Sequence, residues 1–199
     1  NVLIIGSTKA DKLVGSSGDD FIIGNGGGDT ITGGLGADIL SAGTGSTGNT
    51  PAGSGNLGQD FVTELGLVFS GVGLFAALAA VQTGNTARTT FVYNSAADST
   101  PTSHDTITDF IHGLSRIDLT NIAGISASSG VPFWQGKMSN TGTVALVAHS
   151  VGYMEVGGNT LILANTTNTA ELVSASNVSP ANMEIVLVGT GLGLTLSDF

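Results

Sequence analysis

Residues 6–41 read GSTKADKLV (6–14), GSSGDDFII (15–23), GNGGGDTIT (24–32) and GGLGADILS (33–41). Asp11, Asp20, Asp29 and Asp38 stand nine residues apart, and Leu13, Ile22, Ile31 and Leu40 each follow two residues behind. A period of this kind sets the architecture ahead of any local propensity. After a glycine- and threonine-rich stretch the phase returns in GNLGQDFVT (55–63), with Gly55, Gly58, Asp60 and Val62 in register. A flexible linker would account for the glycine, but not for an aliphatic residue at a fixed offset from every aspartate. Each block divides into six residues that turn tightly, where glycine reaches positive φ without a Cβ penalty, and three that run as a strand. Alternation along the strand sends the aliphatic at the eighth position inward.

The blocks resemble the nonapeptide GGxGxDxUx of RTX proteins, which builds a calcium-binding parallel β-helix. The resemblance implies that two blocks make one right-handed coil, so that turns eighteen residues apart stack on the same side. Calcium takes about six to eight oxygen ligands, and stacked turns offer aspartate carboxylates and backbone carbonyls. Asp11 then pairs with Asp29 and Asp20 with Asp38, while Asp38 with Asp60 forms a weaker pair whose separation exceeds the period by four. The expected metal ligands in this region are Asp11, Asp20, Asp29, Asp38 and Asp60, with the turn positions Gly15, Gly18, Gly24, Gly27, Gly33, Gly34 and Gly36. Asp19 reads as a solvated turn residue.

Composition agrees with a glycine-built β fold. Glycine supplies 31 of 199 residues, about 16% against the roughly 7% usual in soluble proteins, which disfavours helical bundles. With 15 acidic and 5 basic side chains the net charge is −10, leaving no basic surface for phosphates and excluding nucleic acid as a partner. A hydrophobic content of 41% allows a sizeable core. The lack of cysteine rules out disulfides and thiolate–zinc clusters. The sequence opens at Asn1 with neither an initiator methionine nor a basic signal-peptide region, so it is expected to be a piece of a larger protein with an upstream domain.

Residues 64–83, ELGLVFSGVGLFAALAAVQT, interrupt the repeat, and Leu65 to Val81 carry no charge. Three readings stay open for this apolar insertion. It packs on the roll as a helix or hairpin, with Leu67, Leu74, Leu78 and Val81 buried at helical spacing. It forms a self-association or partner surface. Or it spans a membrane, the least favoured reading because flanking aromatics and basic clusters are missing. The phase resumes in GNTARTTFV (84–92), with Thr89 where the aspartate should stand, and this block is expected to close the roll.

The next run, TFVYNSAADSTPTSHDTITDFIHGLSRIDLTNI (90–122), carries Phe91-Val92-Tyr93, Asp98-Ser99-Thr100, Asp105-Thr106-Ile107-Thr108-Asp109-Phe110, Gly113 and Ile117-Asp118-Leu119-Thr120. This series resembles the C-terminal domain of serralysin-type secreted metalloproteases. The resemblance implies a further calcium site with carboxylates from Asp98 and Asp105. For Asp109 and Asp118, local turn hydrogen bonding is at least as good an account as ligation. Residues 131–199 alternate short apolar runs with turn residues, and GGN (157–159) between two such runs signals a hairpin. The MEIVLVG (183–189) run and the SDF ending (197–199) are similar to the family's last strands and to the tail read by a type I exporter. Here the chain stops at Phe199 without the usual trailing aliphatics.

Enzyme chemistry finds no support in the residues. His149-Ser150 looks like a nucleophile elbow, but no histidine follows Ser150, so a surface strand pair is the better reading. His104 and His112 do not form a zinc spacing such as HExxH. The expectation is therefore an all-β chain. A parallel β-roll occupies 1–63, an apolar insertion 64–83, and a closing rung with a serralysin-like antiparallel β cap 84–199, ending in a secretion signal. The expected function is non-catalytic: a Ca2+-binding C-terminal module of a secreted RTX protein that folds on calcium after type I export. Its expected partners are calcium, the exporter and the upstream domain, outside the cell or at its surface. The alternative is a calcium-dependent surface-layer or adhesion module that self-assembles.

Overall fold

A computed structural model describes residues 1–43, 87–125 and 133–199; Asp60, the 55–63 block and the 64–83 insertion lie outside the described residues. Five three-residue strands recur at the nine-residue period: β1 (Leu3–Ile5), β2 (Lys12–Val14), β3 (Phe21–Ile23), β4 (Thr30–Thr32) and β5 (Ile39–Ser41). Odd and even strands enter separate parallel sheets. Leu3 aligns with Phe21 and Phe21 with Ile39 in one, and Lys12 aligns with Thr30 in the other. Each step is eighteen residues, one coil per two blocks. The middle residue of each strand points between the sheets, so Leu13, Ile22, Ile31 and Leu40 meet in one buried cluster. Full burial of a Leu or Ile side chain contributes roughly 1.5–3 kcal/mol, so the fixed aliphatic position drives the coiling.

The second half extends both sheets with other spacings. In the even sheet β6 (Thr89–Val92) aligns Thr90 with Thr30, and β8 (Ser115–Asp118) aligns Ser115 with Thr89. The block at 84–92 therefore carries one more strand beyond it. In the odd sheet β7 (Asp105–Ile107) aligns Thr106 with Ile39. Phe91, Ile107 and Ile117 continue the buried row.

The odd sheet then runs on into the cap. β14 (Met183–Val188) pairs parallel with β7, followed by β12 (Asn159–Asn165) and β11 (Ser150–Val156), both antiparallel, and by β9 (Phe133–Lys137), parallel to β11. The cap is thus antiparallel across β14, β12 and β11 and in a separate two-stranded ribbon, with one parallel pair, β9–β11. Its β9–β11 pair is parallel because the intervening β10 (Thr143–Leu146) leaves the sheet to form a ribbon with β13 (Glu171–Ser174). Met138, Leu146, Met154, Leu163, Val173 and Ala181 form a second buried cluster. In β12, Ile162 faces the first cluster and Leu163 the second, so both faces are buried and TLILA reads as a continuous apolar run. Gly157 and Gly158, at φ 61° and 90°, make the expected two-residue hairpin turn. Ser150 departs from its expected surface position: it is buried, and its hydroxyl donates to the Val147 carbonyl.

Candidate metal centre

Two stacks of six-residue turns lie between the sheets. Turn 24–29 lies over turn 6–11, with Gly27 against Lys9. Turn 33–38 lies over turn 15–20, with Gly34 against Ser16 and Gly36 against Gly18. The aspartate ends its turn, one residue before the strand ladder begins. Its own N–H therefore has no ladder partner and is satisfied by the carboxylate one coil further on. Asp11 N donates to Asp29 Oδ1 at 3.0 Å, Asp20 N to Asp38 Oδ1 at 2.8 Å, and Val2 N to Asp20 Oδ1 at 2.7 Å. Both expected pairs, Asp11 with Asp29 and Asp20 with Asp38, are thus brought together.

Asp38 differs from expectation in its second partner. Its N–H donates to Asp105 Oδ1 at 3.0 Å, sixty-seven residues away. The place expected for Asp60 in the stack is therefore held by Asp105, because β5 pairs with β7. In the other stack the position is occupied by Thr89, whose hydroxyl accepts from Asp29 N at 3.3 Å. A threonine keeps the amide partner and drops the charge.

The second carboxylate oxygens separate the aspartates into two kinds. In Asp11 and Asp20, Oδ2 accepts from the backbone N–H and hydroxyl of Ser7 and Ser16 respectively. The Ser7 bonds hold Asp11 below the usual carboxylate range. For Asp20, burial pushes upward, but the bonds from Ser16 and Val2 outweigh it and the group is lowered. Turns 24–29 and 33–38 have Asn25 and Gly34 in place of those serines. There, Asp29 Oδ2 and Asp38 Oδ2 are buried without a hydrogen-bond partner, as is Asp105 Oδ2. Burial, with a smaller contribution from neighbouring carboxylates, raises Asp29 and Asp38 to about 6 and Asp105 to about 8. A buried carboxylate oxygen left unpaired is costly. A hard cation would relieve that cost, so these three residues fit calcium.

The turn glycines make room for this arrangement. A Cβ on Gly24 would come within 2.2 Å of Asp29 Oδ2, and one on Gly33 within 2.1 Å of Asp38 Oδ2. Gly15 passes so close to its neighbour that a Cβ would lie 2.2 Å from the Gly33 carbonyl oxygen. Gly18 sits instead against the Asn1 side chain. Among the described residues, no three acidic or histidine side chains gather closely enough to hold an ion by themselves. Any cation held here must draw on turn carbonyls as well as carboxylates.

Asp98 lies in the electrostatic field of Asp38 and Asp105, and it is also a cap. Its Oδ2 accepts from Asn94 N and Ser95 N at the short 3-10 turn Ala96–Asp98. Asp109 accepts from Ser41 Oγ, Ala42 N and Gly43 N where the chain leaves the roll. Asp118 accepts from the Thr120 N–H and hydroxyl. Asp118 agrees with local turn hydrogen bonding, whereas the partners of Asp109 lie 66–68 residues away in sequence, so it ties the end of β5 to the later motif. Asp19 is exposed and accepts from Ala37 N at 3.0 Å, so it is a turn residue with a structural bond.

Four contributors escape a reading of the periodicity. Ser7 and Ser16 occupy a repeat position that tolerates glycine, so nothing in the period marks them. Ser99 joins rungs through its hydroxyl, which accepts from Asp105 N at 2.8 Å and donates to the Glu184 carbonyl; its only signal is its place in the Asp98-Ser99-Thr100 motif. Tyr93 is fully buried beside Asp105, and burial together with that carboxylate pushes its phenol upward. Neither the Tyr93 hydroxyl nor Asp105 Oδ2 has a partner of good geometry.

The family model described as Peptidase M10 serralysin C terminal matches residues 1–152. No curated protein matches the chain. Among solved structures, the chain is similar to the solution structure of the AlgE6R3 subunit of the mannuronan C5-epimerase from Azotobacter vinelandii. The identity is 16% and the TM-score 0.50, over 100% of this chain and 77% of that one. The AlgE6R2 subunit of the same enzyme gives 16% identity and a TM-score of 0.42, over 98% of this chain and 89% of its own. At this identity the first likeness speaks to the fold alone.

Proposed function

The chain belongs to the serralysin C-terminal family, and from that membership we propose that it is a non-catalytic, calcium-binding module of a secreted protein that folds on calcium after type I export. The single observation that carries the reading is the set of buried, unpartnered oxygens Asp29 Oδ2, Asp38 Oδ2 and Asp105 Oδ2. Asp29 would hold an ion in one turn stack, with Asp38, Asp105 and Asp98 serving the other. Turn carbonyls would complete the donor set. Bound calcium supplies the positive charge that these carboxylates lack. Without it, Asp38, Asp98 and Asp105 oppose one another in a poorly solvated space, and the coil closes only against that repulsion. In the calcium-poor cell interior the chain stays open for export, and outside it closes.

Circular dichroism and thermal melts in excess chelator and at about millimolar calcium, the range of extracellular modules, test the reading. The expected result is an unfolded or strongly destabilised roll in chelator that folds cooperatively on calcium. Identical spectra and melting in both conditions would overturn it. A second reading, a calcium-dependent surface-layer or adhesion module, draws on the exposed apolar residues Leu3 and Ile5. Light scattering on calcium addition separates the two: growth into large assemblies supports the second, and a constant mass the first.

A further inference from the structure

Tyr93 puts a phenol where a phenylalanine would pack as well. Its backbone N–H donates to the Asp118 carbonyl at 3.0 Å just beyond β6, and its ring joins Phe91, Ile107 and Ile117 in the first buried cluster. The residue is 2% exposed, and its hydroxyl is buried without a hydrogen-bond partner of good geometry. A buried hydroxyl left unpaired is costly. Packing alone would therefore favour phenylalanine, and the hydroxyl needs another account.

Its surroundings supply one. The phenol stands beside the Asp105 carboxylate, in the field of Asp38 and Asp98 as well. Asp105 Oδ1 is taken, accepting from Asp38 N at 3.0 Å, whereas Oδ2 is buried and open. The chain between the two residues closes on this point. Asp98 Oδ2 accepts from Asn94 N and Ser95 N, and Ser99 Oγ accepts from Asp105 N at 2.8 Å. Residues 93–105 thus form a loop whose two ends meet, phenol against carboxylate. A hydroxyl already serves a carboxylate of the same stack in this way, where Ser16 Oγ donates to Asp20 Oδ2 at 2.9 Å.

We propose that Tyr93 is a positioning residue of the Asp38–Asp105 cation site, its phenol O–H donating to Asp105 Oδ2 and so favouring the ionised carboxylate that calcium requires. The inference rests on the calcium-binding function proposed for the chain and adds to it a residue that no repeat position supplies. A carboxylate that accepts from both Asp38 N and the phenol carries its charge at lower cost. The second lone pair of Oδ2 stays free for the ion. Because the Tyr93 ring belongs to the core, an ion at this site also ties the end of β6 to β7.

The chain has two tyrosines and one tryptophan, so terbium, a hard ion that takes calcium's oxygen sites and emits when excited through a nearby aromatic ring, locates the ion. Trp134→Phe combined with Tyr153→Phe leaves Tyr93 as the one strong antenna. That variant is expected to show terbium emission that calcium displaces, and bound terbium without emission would overturn the placement. Tyr93→Phe then isolates the hydroxyl, since the ring remains. In calcium titrations followed by circular dichroism its midpoint should rise about tenfold, the size of one charge-assisted hydrogen bond, with no loss of stability in chelator. On an Asp105→Asn background the same substitution should add less than about twofold, because it acts through that carboxylate. Equal losses of stability in chelator and in calcium, or full additivity with Asp105→Asn, would make the hydroxyl merely structural and overturn its role. Equal midpoints for the parent and Tyr93→Phe would overturn the part given to Tyr93 alone, whereas a parent that binds neither ion would overturn the calcium reading with it. If Tyr93→Phe does not fold in calcium, the terbium measurement, made on protein that keeps Tyr93, still decides.

Discussion

The Asp38 N–H donates to the Asp105 carboxylate at 3.0 Å, joining a repeat turn to a residue sixty-seven positions later, outside the nonapeptide series. This bond places the carboxylate of the fourth consecutive block beside an acid of the later serralysin-like series. Asp20, Asp38 and Asp105 thereby follow one another in a single stack linked by N–H to carboxylate bonds.

Asp38→Asn and Asp105→Asn separate the ligand role from the backbone role. The amide oxygen can still accept from Asp20 N or Asp38 N, while the buried charge is gone. In chelator both variants are expected to fold no worse than the parent. In calcium each should lose the contribution of one ion, about 2.7 kcal/mol at a hundredfold excess over its dissociation constant. Equal losses with and without calcium in chemical-denaturation curves would make the carboxylates purely structural. Asp19→Ala, which removes the exposed bond to Ala37 N and a minor charge effect on Asp38, should shift stability by less than about 1 kcal/mol.

The pH dependence should reverse on calcium addition. Asp29 and Asp38 are raised from 3.8 to about 6, and Asp105 to about 8. A carboxyl raised in the fold holds its proton more tightly folded than unfolded. Its stabilising contribution is therefore complete below about pH 3.8 and lost as pH rises through 6 and then 8. Urea midpoints of the chelated protein should fall across that interval. Calcium affinity should rise over the same interval, because the ion competes with those protons. Parallel pH trends with and without calcium would contradict the assignment.

Gly33→Ala and Gly113→Ala test the cradle against simple backbone strain. A Cβ at Gly33 lies 2.1 Å from Asp38 Oδ2, whereas Gly113, at φ 84°, has nothing within 4 Å. Gly113→Ala should cost about 1–2 kcal/mol, the ordinary penalty of a left-handed residue, and leave the calcium midpoint in place. Gly33→Ala should cost more and raise the calcium midpoint at least tenfold in a titration followed by circular dichroism.

The C-terminal residues report on the join between roll and cap. Asp198 is buried and accepts from Thr195 N at 2.8 Å, with His112 Nδ1 at 2.9 Å, while the Phe199 ring lies 4.8 Å from that of Trp134. Trp134 is the single tryptophan and also stacks on Tyr153 at 5.9 Å, so its fluorescence reports on this aromatic cluster. Phe199→Ala should red-shift the Trp134 emission and lower stability by roughly 1–3 kcal/mol. An unchanged spectrum would show that the ring pair does not persist in solution.

The nine-residue period by itself determined the roll, because a fixed aspartate and a fixed aliphatic leave one way to bury Leu13, Ile22, Ile31 and Leu40 together. Which aspartates stack followed from the resemblance to the RTX nonapeptide, which implies two blocks per coil and so brings Asp11 to Asp29 and Asp20 to Asp38. Local turn chemistry was legible in the same way at Gly157-Gly158. Tertiary structure decided what no period encodes. Pairing of β5 with β7 put Asp105 in the position expected for Asp60, because strand partners after a long excursion are chosen by packing rather than by count. The Ser7 and Ser16 hydroxyls close one oxygen of Asp11 and Asp20, while Asp29 and Asp38 keep theirs open. That difference depends on atoms within 3 Å of a carboxylate, and spacing along a chain does not specify it.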